Sequence, residues 1–354
     1  MKKYALYIAY GAQENNAGSK AVNDALEISN QHGFEKVCLY KVKNSRTTIF
    51  NLLTGYLKIF FWSTKLKKGD IVFLQYPISR VFLKRVYKIL NRRKVHTVTL
   101  IHDIDYLRNV PLGNKGVQAM KDLELSLLNQ SSYLICHNPI MIEKLEEANI
   151  QSNCVSLGIF DYLYSGNDAI ISKNKNQIIV AGNLLKKKAG YLYKLNDKEH
   201  QFGLSLYGSN LDEGFQYSHA IHYGSFSPNE LIGHLNGAFG LVWDGTNLDC
   251  CDGDYGNYLR INNPHKASLY LAAGLPLIVW RESALASFIL ENEVGICVDS
   301  LHQLDQEFSS GKWDYSVLQH NVKVLQEKVR NGCFLSNALS KVEKLICAGD
   351  GLSE

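Results

Sequence analysis

Short apolar runs alternate with longer segments of helical period along nearly the whole chain, and that alternation admits few folds. A βαβα series builds a parallel sheet with helices laid on its faces. In the first half the runs are YALYIA (4–9), KVCLY (36–40), DIVFLQY (70–76), HTVTLIH (96–102) and SYLICH (132–137). Helical segments are predicted near 18–32, 48–66, 79–91, 115–130 and 139–148. Strands apolar at nearly every position fit a sheet covered on both sides. The stretch YLYSGNDAIISKNKN (162–176) is polar and turn-forming and reads as a linker. A second series follows: QIIVAG (177–182), FGLSLYG (202–208), AIHYG (220–224), GLVWDG (240–245), LPLIVW (275–280) and VGICV (294–298). Its helices fall near 228–236, 264–273, 283–291 and 301–308, and residues 313–346 read as one or two long amphipathic helices. The expected architecture is α/β, two Rossmann-like domains facing each other across a cleft. Their expected bounds are 1–165 and 176–325, with 326–354 a C-terminal helix packing back on the first domain.

The 354 residues suit two domains. With 46% apolar and 20% charged residues, a disordered or low-complexity chain is excluded. The net charge of +4, from 38 basic and 34 acidic residues, is no nucleic-acid signature. Eight cysteines show no CxxC and no regular framework, so reduced thiols are expected, with Cys38, Cys136 and Cys297 as small core residues. No run is long enough to span a bilayer, the longest being Ile49 to Trp62, and the apolar run in MKKYALYIAYGAQENN is shorter than a signal h-region needs, so a signal peptide is not expected there. A cytoplasmic protein is expected.

The most informative stretch is NNPHKASLYLAAGLPLIV (262–279). Asn263 suits an N-cap, Pro264 the first helical position, and Gly274 the helix end before a buried strand. Lys266 then falls at the third helical position, where the macrodipole disfavours a cation. Such a local conflict marks functional sites. A bound diphosphate resolves it, since helix N-terminal amides and a lysine both attract phosphate. Asn263, Lys266 and Ser268 are therefore the candidates on this helix.

The helix-AAGLPLIV-strand unit, followed by ESALASFILENEVGICVDS, resembles the nucleotide-binding domain of GT-B glycosyltransferases. The preceding HYGSFSPNELIGHLNGAFGLVW fits the same pattern, and the loop after the first strand and LIHDIDYLR agree more loosely. Among these enzymes the chain is most similar to the bacterial group containing adhesin-modifying glucosyltransferases and β-galactofuranosyltransferases. The resemblance implies a UDP-sugar donor held by the C-terminal domain and a glycan acceptor served by the N-terminal one. It implies that Lys266 contacts the diphosphate and that Tyr223 lies beside the nucleotide. It further implies that a basic residue of Leu184-Leu185-Lys186-Lys187-Lys188, either Lys186 or Lys187, reaches the phosphates. A homo-oligomer, dimer or tetramer, is expected. Glu282 stands at an unusual spacing for the ribose-gripping glutamate of other GT-B enzymes.

The loop Gly11 to Lys20 is Gly-flanked, but its Gly-Ser-Lys order fails as a Walker A motif. Small residues at a helix start let amides approach a ligand, which makes Gly18 a candidate. By resemblance, Asn16 touches the donor. His102-Asp103-Ile104-Asp105 follows an apolar strand, where α/β folds place their chemistry. Inverting transfer needs a base for the acceptor hydroxyl, and either Asp103 or Asp105 can serve, with Asp103 favoured. Arg108 either holds acceptor anions or pairs with one of them.

Asp103-x-Asp105 and Asp252-x-Asp254 also spell the D-x-D of metal-dependent GT-A enzymes, but a GT-A fold supplies no second α/β series. No metal and no cofactor is expected, and 244–257 is expected to be a mobile loop. Residues 54–62, with Lys65, Lys67 and Lys68, form either a peripheral contact with an anionic membrane or a packed helix or subunit interface. Trp243 and Trp280 are expected in the core. A UDP-sugar hexosyltransferase, with glucose favoured over galactofuranose, leads two rivals: an inactive sugar- or nucleotide-binding partner subunit, and an epimerase of similar shape.

Overall fold

The computed structural model describes residues 1–10, 17–42 and 49–349. These divide into two compact units: 1–10, 22–42, 49–157 and 334–349 belong to the first, and 17–21 with 158–333 to the second. In the first, β1 (Lys3–Tyr10), β2 (Glu35–Val42), β3 (Ile71–Tyr76), β4 (His96–Ile101), β5 (Tyr133–Cys136) and β6 (Asn153–Ser156) make one sheet. Its strand order is β2-β1-β3-β4-β5-β6 and every pairing is parallel. All residues of β3 and β5 are buried, as strands covered on both faces must be. The chain reverses its direction of travel between β1 and β3, and the carboxyl ends of strands at such a switch point are where α/β sheets bind ligands.

Helices α1 (Ala17–Gln31), α2 (Ile49–Ser63), α3 (Arg80–Arg92), α4 (Gly116–Leu128) and α5 (Pro139–Glu147) connect these strands. The start of α5 is legible in sequence: Asn138 accepts a hydrogen bond from the Met141 amide (2.8 Å), and Pro139 opens the helix.

The second unit carries β7 (Ile170–Ile171), β8 (Gln177–Ala181), β9 (Gly203–Tyr207), β10 (Ala220–His222), β11 (Asn236–Gly237), β12 (Phe239–Val242), β13 (Leu277–Trp280) and β14 (Gly295–Val298). Its main sheet runs β10-β9-β8-β12-β13-β14, all parallel, and β7 pairs with β11 apart from it. Counted within the sheet this is the 3-2-1-4-5-6 order of dinucleotide-binding domains, with the switch point between β8 and β12. The helices are α6 (Lys186–Ala189), α7 (Pro228–His234), α8 (Gly253–Tyr258), α9 (His265–Ala272), α10 (Leu285–Asn292), α11 (Leu304–Ser309) and α12 (Tyr315–Arg330). The last helix, α13 (Cys333–Gly349), belongs to the first unit from residue 334 on. There Glu343 meets Lys3 (2.9 Å) and His32 (3.2 Å), and Leu335, Leu339, Val342 and Ile346 are buried.

Trp243 and Trp280 are core residues, 0% and 2% exposed. All eight cysteines are free thiols; Cys136 and Cys297 are buried and Cys38 half-buried. The segment 162–176 is less loose than its composition suggests. Tyr162 is buried, its amide bonds the Val329 carbonyl (3.0 Å), and Ile170–Ile171 form β7. No helix among the described residues is long and apolar enough to cross a membrane.

Candidate functional site

Helix α9 begins one residue later than the capping pattern predicts. Pro264 is the cap, its carbonyl accepting from the Ala267 amide (2.9 Å), and Lys266 is the second helical residue. Asn263 is 1% exposed, and its side-chain amide donates to the Gly158 carbonyl instead of capping the helix. The far end matches expectation. Gly274 (φ +78°) closes α9 in a Schellman pattern, with Gly274 N–H on Leu271 (3.0 Å) and Leu275 N–H on Tyr270 (2.9 Å). The Tyr270 hydroxyl accepts from the Ala181 amide (2.8 Å), which ties α9 to the end of β8 at the switch point.

Lys266 faces Asp244, just past the end of β12: Nζ to Oδ1 is 2.6 Å, with the Trp243 carbonyl at 3.4 Å. The two side chains are only 17% and 8% exposed. Burial holds the Lys266 pKa below that of an ordinary lysine, and the Lys188 charge adds to the effect against the pull of Asp244. Lys266 thus stands against one carboxylate, within the field of the Lys188 charge, in the first turn of a helix whose N-terminus attracts anions.

A tight turn sets Asp244. Gly245 has φ +122°, and a Cβ there would lie 2.3 Å from Asp252 Oδ1 and 2.6 Å from the Asp252 amide nitrogen, so only glycine fits. Asp252 in turn accepts from the Thr246 amide and hydroxyl (2.9 Å for the latter). The Gly245 amide donates to the Lys188 carbonyl (2.8 Å), which ties the Lys188 segment to the Asp244 turn. The 244–257 segment expected as a mobile loop is therefore a built turn leading into α8.

Of the basic triplet, Lys188 is the residue beside Lys266; its ammonium also lies over the Tyr255 ring (5.4 Å). Lys186 lies over the Tyr193 ring (4.9 Å), and Lys187 is exposed. Lys186 and Lys187 are the candidates the sequence offers, whereas Lys188 is the one whose charge acts on Lys266; the facing of a four-residue helix has no periodicity to read. Ser268 is fully enclosed and its hydroxyl has no hydrogen-bond partner among the described residues. Tyr223 follows β10, two strands from β8, and stacks on buried Tyr207 with centroids 4.9 Å apart and planes 6° apart. It is 38% exposed. Gly18 lies exposed in the first turn of α1, and Asn16 falls outside the described residues. In that turn Lys20 donates to the Leu163 carbonyl (2.6 Å) with its ammonium over the Tyr162 ring, which stacks on His265. Glu282 is exposed and pairs with Arg260.

In the first unit Asp103 and Asp105 follow β4, and their surroundings separate them. Asp105 is held by Arg80 and approached by Arg108 (3.8 Å). Its amide donates to Glu124 (3.1 Å), a carboxylate with no exposure that also takes the Tyr106 amide and the Tyr76 hydroxyl. Asp103 has Arg108 at 3.1 Å and is 39% exposed, twice the 19% of Asp105. Arg108 thus meets both carboxylates. Behind them His102 bonds Gln75 (2.7 Å), and burial pushes its pKa down to about 4, so it stays neutral near pH 7.

The comparisons with known proteins agree with this geometry. Residues 3–159 match the N-terminal and residues 178–342 the C-terminal domain model described as glucosyltransferase 3-like. The chain belongs to the glucosyltransferase 3-like family. The β-1,6-galactofuranosyltransferase WbbI of Escherichia coli K12 is 29% identical, covering 92% of this chain and 94% of its own. Glucosyltransferase 3 of Streptococcus gordonii is 24% identical, covering 83% and 84%. A sucrose-phosphate synthase from Thermosynechococcus elongatus shares the fold with a TM-score of 0.63 at 11% identity, covering 99% of this chain and 100% of its own. An α,α-trehalose 6-phosphate synthase from Burkholderia multivorans gives 0.55 at 8%, covering 99% and 100%. The fold is GT-B, and this family member is a glycosyltransferase.

Proposed function

We propose that this glycosyltransferase moves a hexose, glucose in the first instance, from a UDP-sugar to a glycan acceptor on a surface adhesin or polysaccharide, with inversion. The single observation that carries the reading is the Lys266–Asp244–Lys188 group at the switch point of a sheet with dinucleotide-binding order. Lysines and the positive end of α9 would neutralise the diphosphate as it leaves, the work a divalent ion does in other transferases. The nucleotide displaces Asp244 from Lys266 only if it supplies more negative charge, which a diphosphate does. Asp103, the more open of the two carboxylates after β4, would take the acceptor proton. Tyr223, backed by Tyr207, offers a ring face for the base. The sugar is the open choice between the two activities named in the relatives, and galactofuranose is the alternative.

A UDP-release assay with UDP-glucose and UDP-galactofuranose, with and without acceptor glycan, tests this. Acceptor-dependent release that survives EDTA is expected. Release that EDTA abolishes and manganese restores would transfer the role of Lys266 to a metal. UDP binding without any turnover would make the chain an inactive partner subunit, and release of UDP without acceptor an epimerase.

We further propose that α2 rests on an anionic membrane carrying a lipid-linked acceptor. Phe50, Leu53, Leu57, Phe60 and Phe61 are each more than half exposed along it, and Lys58, Lys65, Lys67 and Lys68 flank them in the open.

A further inference from the structure

Two histidines 102 residues apart in sequence meet in the second unit, and neither belongs to the phosphate site. His200 closes a turn in which Asn196 accepts from the amides of Lys198 and Glu199 (3.1 Å each) and its carbonyl takes the His200 amide (3.1 Å). His302 lies in a 3₁₀ turn after β14, set by Ser300, whose hydroxyl accepts the His302 amide (3.2 Å). Their ring centres are 5.2 Å apart. His200 is 1% exposed, yet neither of its ring nitrogens has a hydrogen-bond partner among the described residues. A buried imidazole orphaned at both nitrogens is a rare and costly arrangement, and it calls for a missing partner.

Ligand atoms of Glu199, His200 and His302 all lie within 4.8 Å of one another. Asp249 adds a second carboxylate, 3.7 Å from His302 Nε2. Two imidazoles on one tetrahedral zinc hold their ring centres roughly 5 Å apart, given Zn–N bonds near 2.0–2.1 Å. The observed centroid separation is compatible with that spacing, and donor atoms now within 4.8 Å of one another would draw in to about 3.4 Å around the ion. We propose that Glu199, His200 and His302 bind a zinc-type divalent ion, with Asp249 or water as the fourth ligand. Imidazole nitrogen with carboxylate oxygen suits zinc, whereas magnesium and calcium prefer oxygen alone.

The role would be structural. Leu301 N–H and Ser300 Oγ both bond the Leu248 carbonyl (2.8 and 3.1 Å), so the ion would clip the 196–200 turn to the loop that begins at Asp244. It touches none of Lys266, Asp244 or Lys188, and so leaves the proposed chelator-resistant chemistry intact.

The test is zinc titration calorimetry on the full chain after chelator treatment and desalting, with thermal unfolding in parallel. Submicromolar binding of one zinc and a raised Tm are expected, with magnesium and calcium silent. His302→Ala removes an exposed ligand at little risk to folding and should weaken binding at least tenfold, as should Glu199→Gln. His200→Ala serves only where circular dichroism matches the parent. Cobalt in place of zinc should give visible d–d bands without thiolate charge transfer. Equal zinc affinity in His302→Ala, no binding by the parent, or a cysteine-to-cobalt band would each overturn the proposal. The transferase reading is judged separately. EDTA inactivation of the parent with its Tm unchanged would speak against metal-free transfer and leave the zinc site to be judged by calorimetry.

Discussion

Removal of the Lys266 ammonium, 2.6 Å from Asp244 Oδ1, should be felt in two ways. If Lys266 holds the diphosphate as proposed, Lys266→Ala removes a charge-assisted contact worth roughly 1.5–3 kcal/mol, so UDP affinity should fall about tenfold or more by calorimetry. It also leaves Asp244, 8% exposed, as an uncompensated charge that would repel the diphosphate. Adding Asp244→Asn should therefore recover part of the loss. Unchanged UDP affinity in a folded Lys266→Ala protein would remove this lysine from the site. The two carboxylates after β4 should part company in the same manner. Asp103→Asn should cut turnover by roughly 10²–10⁴-fold while Tm holds. Asp105→Asn should lower Tm, because Arg80 and Arg108 lose a shared, half-buried partner. A dead but stable Asp105→Asn beside a normal Asp103→Asn would reverse the roles. The sequence showed Lys266 because a cation near a helix start conflicts with the macrodipole. It could not show Asp244, 22 positions away, as its partner, nor Glu124, whose burial depends on three tertiary contacts. The His200–His302 pair was equally invisible, since nothing local links the two.

Elements were more legible than sites, and the exceptions share a cause. Long apolar runs such as IVFLQY and HTVTLI appear as β3 and β4 within a residue or two of expectation. The elements missed are short or polar: β6 (NCVS), the two-residue β7 and β11, α6 (KKKA) and α8 (GDYGNY). Each is fixed by neighbours rather than by its own periodicity, and α8 follows from the Asp252 turn. Helix α2 shows what periodicity alone cannot assign. Its inner side packs through Gly55, where a Cβ would lie 2.7 Å from the Tyr40 ring and 3.0 Å from Phe82, and through fully buried Ile59. Its outer side is apolar as well. If that side meets lipid, the protein should co-sediment with phosphatidylglycerol vesicles and not with phosphatidylcholine ones, and salt should weaken the binding. Phe60→Ser with Phe61→Ser should abolish it without lowering Tm, since both rings are exposed. Concentration-dependent dimerisation lost in that double variant, with no vesicle binding, would assign the face to a second copy of the chain.

At the scale of the molecule, the chain leaves the first unit at residue 157 and returns to it at 334, so the two units do not depend on the C-terminus equally. Helix α13 gives the first unit the buried side chains Leu335, Leu339, Val342 and Ile346. At about 1.5–3 kcal/mol each, their burial is comparable with the whole stability of a domain. Glu343 adds its contacts to Lys3 and His32, which hold its carboxyl below the usual range against the opposing effect of burial. A fragment of residues 1–157 should therefore be unfolded or molten, with weak near-ultraviolet circular dichroism and no cooperative melt. The same fragment joined to 333–349 through a flexible linker should regain a cooperative transition. Residues 158–333 hold Lys188, Asp244, Lys266 and Tyr223 with the complete second sheet and lack only the short 17–21 piece of their unit, so this fragment should fold alone. It should bind UDP within a few-fold of the full chain and transfer no sugar, because Asp103 is absent. Full cooperative folding of 1–157 would show that α13 is dispensable. Loss of UDP binding in a well-folded 158–333 would show that the nucleotide depends on residues outside that fragment.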